Sequence, residues 1–113
     1  MIADQLIAEY RELAQAHGQA TINGDFKAAN RSHDRLISLL TSIRSLGVDG
    51  QARLLRLTCD SDDSVSCWAA THTLPFDECR ALEVLDTLSS KSGPIGFNAK
   101  MVILQWKKGE LTT

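Results

Sequence analysis

Apolar residues recur at helical spacing along nearly the whole chain, and no stretch reads convincingly as a strand. In the first segment, apolar positions three or four residues apart predict an amphipathic helix that ends at Gly18. The stripe consists of Ile2, Leu6, Tyr10 and Leu13. Asp25 suits the N-cap of a second helix, which is expected to end near Gly47. The inward positions predicted for it are Phe26, Ala29, Leu36, Ile37, Leu40 and Ile43.

Four further helices are predicted after this one. The third covers about residues 51–58, and an acidic cluster at 60–63 suits the start of the next helix. The fourth, about residues 64–74, is apolar on more than one side, which predicts a central position among the helices. Pro75 is expected at the first position of the fifth helix. Pro94 opens the sixth, which runs to about residue 108, before Gly109.

Two stretches of the chain read as the same helical pair, about thirty residues apart. The first copy carries Leu54, Leu55, Val65, Ala69 and Leu74, and the second carries Val84, Leu85, Ile95, Ala99 and Leu104. Such units cannot bury an apolar face alone and therefore stack side by side. We predict an all-α fold, a compact HEAT-like stack of about six helices in antiparallel pairs, in which residues 1–113 form one domain.

The sixth helix carries two apolar stripes on roughly opposite sides. One stripe consists of Phe97, Met101 and Leu104, and the other of Ala99, Val102, Ile103 and Trp106. A terminal helix has only one side to lean on, so the second stripe needs a cover. Two covers are considered. One is the second helix, and the other is an intermolecular contact centred on Trp106, with Val102 and Ile103 beside it.

Two polar residues, Asn30 and His33, fall on the predicted inward face of the second helix. Buried polar groups need hydrogen-bond partners. One interpretation gives them backbone partners in the loop between the first two helices. The other places them in a small polar pocket with Asp34 or His72. His72 taken alone is expected to be a core histidine.

Composition describes an ordinary globular chain, with 43% hydrophobic residues, 23% charged residues and a net charge of -2. This balance argues against a nucleic-acid partner. Cys59, Cys67 and Cys79 are odd in number, lack C-x-x-C spacing and lie within predicted helices, which favours free buried thiols in a reducing cytoplasm. The N-terminal segment carries Asp4 and Glu9 within a short apolar pattern, so neither a signal peptide nor a membrane span is expected.

The sequence contains no motif of known catalytic or cofactor chemistry. His17, His33 and His72 are dispersed along the chain without metal-ligand spacing, and the cysteines supply no zinc pair. No glycine-rich phosphate loop is present, and the acidic cluster lacks the glycine and the distal glutamate of a calcium loop. Cys67 and His72, five residues apart on one helix, are expected to point in different directions. We therefore predict no metal, no cofactor and no enzymatic activity.

Several short motifs resemble those of one known family. They are Gly24-Asp25, Ala28-Ala29-Asn30, His33-Asp34 with Leu36, Leu54-Leu55, Asp63 with Val65, Ala69-Ala70, and Leu104, Trp106 and Gly109. Together they resemble a small bacterial family of HEAT-like domains, the domain of unknown function number 2019, over nearly the whole chain. Ser66 departs from HEAT-type helices, which often carry a basic residue there. The resemblance implies a fold, and it implies no activity and no catalytic residues.

A compact, mildly acidic helical domain without catalytic groups resembles the immunity proteins with which bacteria neutralise toxins. The expected function is therefore stoichiometric occlusion of a partner protein, such as a basic toxin domain. The acidic residues expected at that contact are Asp60, Asp62, Asp63, Asp77, Glu78 and Glu83. Their alternative use is helix capping and a solvated face. The alternative functions are a helical adaptor or homodimer through Trp106, and a small-ligand pocket around Asn30, His33 and His72.

Overall fold

Six α-helices joined by short turns make up the computed structural model, which describes residues 2–111. They are α1 (Ile2–Asn23), α2 (Phe26–Arg44), α3 (Val48–Leu57), α4 (Asp63–Thr73), α5 (Glu78–Ser89) and α6 (Pro94–Lys107). Over that range no strand forms, and the predicted all-α stack is confirmed. The helices pack as the hairpins α1–α2, α3–α4 and α5–α6. The ends of the predicted domain, Met1 and residues 112–113, lie outside the described range.

Helix α4 lies at the centre of the stack and packs against α1, α3, α5 and α6. Eight of its eleven residues are buried. Its Val65 joins an apolar cluster with Tyr10 and Leu36, and on its other side Cys67 joins a second cluster with Leu85. A helix that contributes to two cores must be apolar on more than one side, as its sequence predicted.

The buried hydroxyl groups of α4 all donate to backbone carbonyl groups. Thr71 and Thr73 donate to the carbonyl groups one turn earlier, at 2.8 and 2.7 Å. Ser66, which departs from the HEAT-type pattern, donates to the Thr58 carbonyl at 2.7 Å and so ties α4 to the end of α3. These bonds remove most of the cost of burying polar groups in an apolar interior.

The two copies of the predicted repeat are the hairpins α3–α4 and α5–α6. Leu54 and Leu74 of the first copy are buried, and so are Leu85 and Ala99 of the second. Leu104 is 46% exposed, whereas its counterpart Leu74 is only 1% exposed. Within residues 2–111 no helix packs on the side of α6 that carries Leu104, whereas Leu74 lies in a cluster with side chains of α5 and α6.

Three predicted helix boundaries are wrong, and one of them is the start of α3, which begins at Val48 rather than at about residue 51. Helix α1 continues through Gly18 and ends at Asn23. The next residue, Gly24, has a φ of 73°, which is typical of the position that follows a helix. Gly18 is buried where α1 crosses α4. A Cβ at this position would lie 2.6 Å from the Cβ of Ser64, so the close approach of the two helices requires glycine. Helix α5 begins at Glu78 rather than Pro75, since the Asp77 carboxylate caps it by accepting from the Arg80 N–H at 3.2 Å.

The buried face of α2 lies to one side of the predicted face. The predicted positions Ala29, Leu36, Leu40 and Ile43 are buried, together with Leu39. Phe26 is 73% exposed and Ile37 is 39% exposed, which corrects their assignment to the inward stripe. Each residue turns the helix by about 100°, so a core centred on Leu36 and Leu40 leaves the neighbouring stripe at the edge of the interface. The predicted cap is confirmed, with Asp25 accepting from the Ala28 N–H at 3.1 Å.

Replacing Gly18 by alanine tests the close approach of α1 and α4. In an exposed helix this change would stabilise the chain by about 1 kcal/mol. Here we expect Gly18→Ala to lower the free energy of unfolding by about 1–3 kcal/mol, because the new methyl group overlaps Ser64. Urea denaturation measures the effect, and the double variant Gly18→Ala/Ser64→Gly should recover part of it. A Gly18→Ala chain as stable as the wild type would contradict the crossing geometry.

Candidate functional site

A groove of about 500 Å³ lies over α4, with α1 and α2 on one side and α6 on the other. Helix α4 supplies its floor through Ser64, Cys67, Trp68, Thr71 and His72. The volume falls within the range of about 300–1,000 Å³ that is usual for ligand sites in proteins. None of its described lining residues is Asp, Glu, Lys or Arg, although 23% of the chain is charged.

All three histidines of the chain meet at Trp68 on this groove. The Trp68 ring centroid lies 5.1 Å from that of His17, 5.6 Å from that of His33 and 5.4 Å from that of His72. The His17 and Trp68 rings meet edge to face at 85°. Such separations and angles are typical of attractive aromatic pairs. We call Trp68, His17, His33 and His72 the ring cluster.

His72 is the buried end of the ring cluster. It is 3% exposed, and its Nδ1 shares a hydrogen bond of 2.7 Å with the hydroxyl of fully buried Tyr10. Burial raises the pKa of Tyr10 well above its ordinary value, so its hydroxyl keeps its proton at neutral pH. This bond ties α1 to α4 across 62 residues of sequence. As predicted, His72 is a core histidine, and it also borders the groove.

Burial favours the neutral form of the two imidazoles deepest in the cluster. Burial, with the nearby charges of Arg44 and His33, lowers the pKa of His72 to about 3. Burial and the charge of His33 also lower the pKa of His17 below its ordinary value of 6.5. A neutral imidazole has one donor and one acceptor nitrogen, so such rings offer hydrogen bonds without charge.

Two residues of the predicted polar pocket lie on this groove. His33 and His72 border the same groove, while Asn30 is exposed and lies outside the lining. The inward placement of Asn30 and His33 is wrong, because the core-facing stripe of α2 runs beside them. His33 keeps a side-chain exposure of 46%, with Asp34 Oδ1 3.6 Å from its Nδ1. His17 was missed as a site residue, although its spacing of seven from Tyr10 places both on one face of α1.

The acidic residues before α4 are engaged within the chain. Asp60 forms an ion pair of 2.7 Å with Arg11 of α1. The pKa of Asp60 is lowered, chiefly by its hydrogen bond with Arg11. Asp62 caps α4, where one carboxylate oxygen accepts from the N–H groups of Ser64 and Val65 at 2.9 and 3.1 Å. These contacts agree with the capping interpretation.

Three of the four remaining acidic residues of the predicted contact are also bonded within the chain, and the exception is Glu83. Asp63 pairs with Lys91 at 2.9 Å, and Asp77 caps α5. Glu78 accepts from the Trp106 indole N–H at 2.7 Å. Glu83 is exposed on α5. A partner of the predicted acidic surface would therefore have to compete with internal bonds at most of its positions.

The covered stripe of α6 faces α4 and α5. Val102, Ile103 and Trp106 are partly buried against the cluster formed by those helices. Within the described chain α6 makes no contact with α2, so the prediction that the second helix covers this stripe is wrong. The open stripe is the other one, with Phe97 63% and Leu104 46% exposed. Because α6 carries two apolar stripes of similar size, its sequence alone does not indicate which stripe packs against the other helices.

No metal centre stands out in the described part of the chain. No group of three or more potential ligand side chains there could hold a metal ion. Cys67 is buried, whereas Cys59 and Cys79 are exposed, so the prediction of buried thiols is wrong at two of the three positions. Burial, together with the charge of Asp63, raises the pKa of the Cys67 thiol to about 11, so this thiol stays protonated at neutral pH. No helix between residues 2 and 111 has the length and apolar character needed to cross a membrane.

Comparison with known proteins supports the fold and gives no information about function. No family model and no curated protein matches this chain. The protein RPA1889 from Rhodopseudomonas palustris CGA009 has a crystal structure that is similar to it with a TM-score of 0.89, covering 100% of this chain and 94% of that chain at 21% identity. At this identity the similarity shows a common helical stack. The resemblance to domain of unknown function 2019 stays a prediction.

The capping role of Asp62 predicts an effect on stability. Asp62→Ala should lower the free energy of unfolding by about 1 kcal/mol, because two N–H groups of α4 lose their acceptor. Glu83→Ala, which removes an exposed carboxylate, is the matched control and should stay within about 0.5 kcal/mol of the wild type. Urea denaturation compares them. Equal stabilities would mean that the Asp62 carboxylate is free for a partner.

The lowered pKa of His72 predicts a loss of stability in acid. Below pH 6.5 the unfolded chain takes up a proton at this residue that the folded chain refuses until about pH 3. Stability from His72 is therefore complete above pH 6.5 and falls as the pH drops towards 3, with a slope of up to about 1.4 kcal/mol per pH unit.

Urea denaturation at pH 7, 6 and 5 measures this slope for the wild type and for His72→Asn. The variant should be less stable at pH 7 and should lose less stability on acidification. His17 is present in both chains, so the difference between them isolates His72. Parallel loss in the two chains would contradict a neutral buried imidazole.

Proposed function

We propose that this chain is a non-catalytic binding domain that holds an apolar segment of a partner protein in the groove over α4. The observation that carries the proposal is the groove itself, which has no Asp, Glu, Lys or Arg among its described lining residues, is lined by the ring cluster and is bordered by exposed apolar side chains. Ile22 is 65% exposed and Ile37 39% exposed on one side. Large apolar side chains that are left open around a concave surface are typical of protein interaction sites.

The opposite border favours a protein segment over a small molecule. Met101 lines the groove, and on the same stripe of α6 the exposed side chains Phe97 and Leu104 continue the apolar surface outwards. A small ligand is usually enclosed over most of its surface. A segment of protein can fill the groove and also cover the apolar surface beside it.

A binding role rather than a catalytic one agrees with the titration of the buried groups. The Cys67 thiol is protonated, and the His72 imidazole is neutral and already bonded to Tyr10. A general base works best with a pKa near the working pH, and a nucleophilic thiol needs a lowered pKa. Neither group meets that requirement.

The immunity-type function stays a prediction about the partner. Neutralisation of a basic toxin domain would need the acidic residues at the starts of α4 and α5, and most of these are held by internal bonds. A homodimer through Trp106 meets a similar obstacle, since its indole already donates to Glu78. The groove carries neither restriction, so we place the contact there.

The proposal predicts that a charge at the border of the groove abolishes binding. The tagged chain is purified from the cells that produce it, its partner is identified by mass spectrometry, and the purified partner is titrated against each variant. Ile37→Asp and Met101→Asp should each lower affinity at least tenfold, or about 1.4 kcal/mol, because each buries a carboxylate in an apolar contact.

Val48→Asp is the matched control, because Val48 is 80% exposed on α3 and lies outside the groove. It should bind like the wild type. A partner that binds the two groove variants with unchanged affinity uses another face and contradicts the proposal. A chain that carries a bound small molecule in the groove, with no protein, contradicts it in favour of the small-ligand pocket.

A further inference from the structure

We infer that the partner segment is anchored by an uncharged aromatic side chain, which packs against the rings of Trp68, His17 and His33. This inference rests on the proposed function and specifies the chemistry of the same groove. It begins from the placement of these rings, which border the groove from three different helices.

The ring cluster is a platform that remains accessible. His33 keeps 46% of its side chain exposed, and the Trp68 and His17 rings are only partly buried. His17 and His33 lie 6.5 Å apart, and each contacts Trp68 at 5.1–5.6 Å. A fourth ring can therefore meet several ring edges and faces at once. Aromatic pairs gain affinity beyond that from buried area alone, which distinguishes an aromatic anchor from an aliphatic one.

The charge of the groove selects an uncharged anchor. None of its described lining residues is Asp, Glu, Lys or Arg, so a charged anchor would lose its water without gaining an ion pair with any of these side chains. The side-chain amides of Asn98 and Gln105 on α6 can donate a hydrogen bond to a polar atom on the ring of the anchor, or accept one from it. On the same wall, the Met101 thioether can make the sulfur–ring contact that methionine favours.

Amides of single amino acids test the anchor without a known partner. The ¹⁵N,¹³C-labelled chain is titrated with N-acetyl-phenylalaninamide, N-acetyl-leucinamide and N-acetyl-lysinamide. Nuclear magnetic resonance follows the Trp68 indole N–H and the His17 and His33 ring C–H groups. We expect the phenylalanine amide to bind about two- to tenfold more tightly than the leucine amide, and the lysine amide to bind most weakly. The Trp106 indole, bonded to Glu78 away from the groove, should not shift.

The variant His33→Leu isolates the aromatic contribution. His33 is exposed enough for the chain to fold without its ring, whereas Trp68 packs against the core. This variant should bind the phenylalanine amide more weakly than the wild type does, because one of the three rings is gone, and should keep its affinity for the leucine amide. Asn30→Leu, an exposed change on the same helix outside the groove, should keep the preference.

The outcomes separate the inference from the function on which it rests. Equal binding of the phenylalanine and leucine amides overturns the aromatic anchor and leaves an apolar groove. Binding of the lysine amide as tight as that of the phenylalanine amide overturns the uncharged anchor. If neither the phenylalanine amide nor the leucine amide shifts the resonances of the ring cluster, the groove is not an apolar binding site. That result would overturn the proposed function as well.

Discussion

The burial of α4 on nearly all sides is the constraint on which the rest of the structure depends. Helices α1, α3, α5 and α6 all pack on it, and both apolar clusters include its side chains. Such a position tolerates hydroxyl and imidazole groups only if each has a partner. Three hydroxyls of α4 donate to carbonyl groups and His72 bonds to Tyr10, so the centre of the stack carries no unsatisfied side-chain atom within residues 2–111.

The groove is a consequence of this arrangement. Helices α1 and α6 both lean on α4 but meet each other only briefly, so the surface of α4 between them stays open. Gly18 sets how closely α1 approaches, since its missing side chain leaves room for Ser64. The same helix contacts that stabilise the core therefore also determine the width of the groove and the distance between the rings of α1 and those of α4.

Local signals in the sequence account for most of the fold and for little of the site. Apolar spacing and the Asp25 cap predict the helices, and the even distribution of apolar residues around α4 predicts its central position. The role of Gly18 could not be predicted, because a glycine in a helical pattern reads as a stop unless the crossing helix is known. His17, His33 and His72 come together only because three helices meet at Trp68. The spacing of the histidines along the sequence does not indicate this contact.

The chemistry of the groove follows from the same burial. Because α4 is enclosed, desolvation keeps the imidazole of His72 uncharged, and the partly buried His17 is affected in the same direction. Burial thus favours the neutral form of both imidazoles, which pack beside Trp68. Any occupant of the groove then adds contacts to a helix on which the whole core depends. Binding there must stabilise the folded chain by mass action, so stability and recognition are coupled through α4.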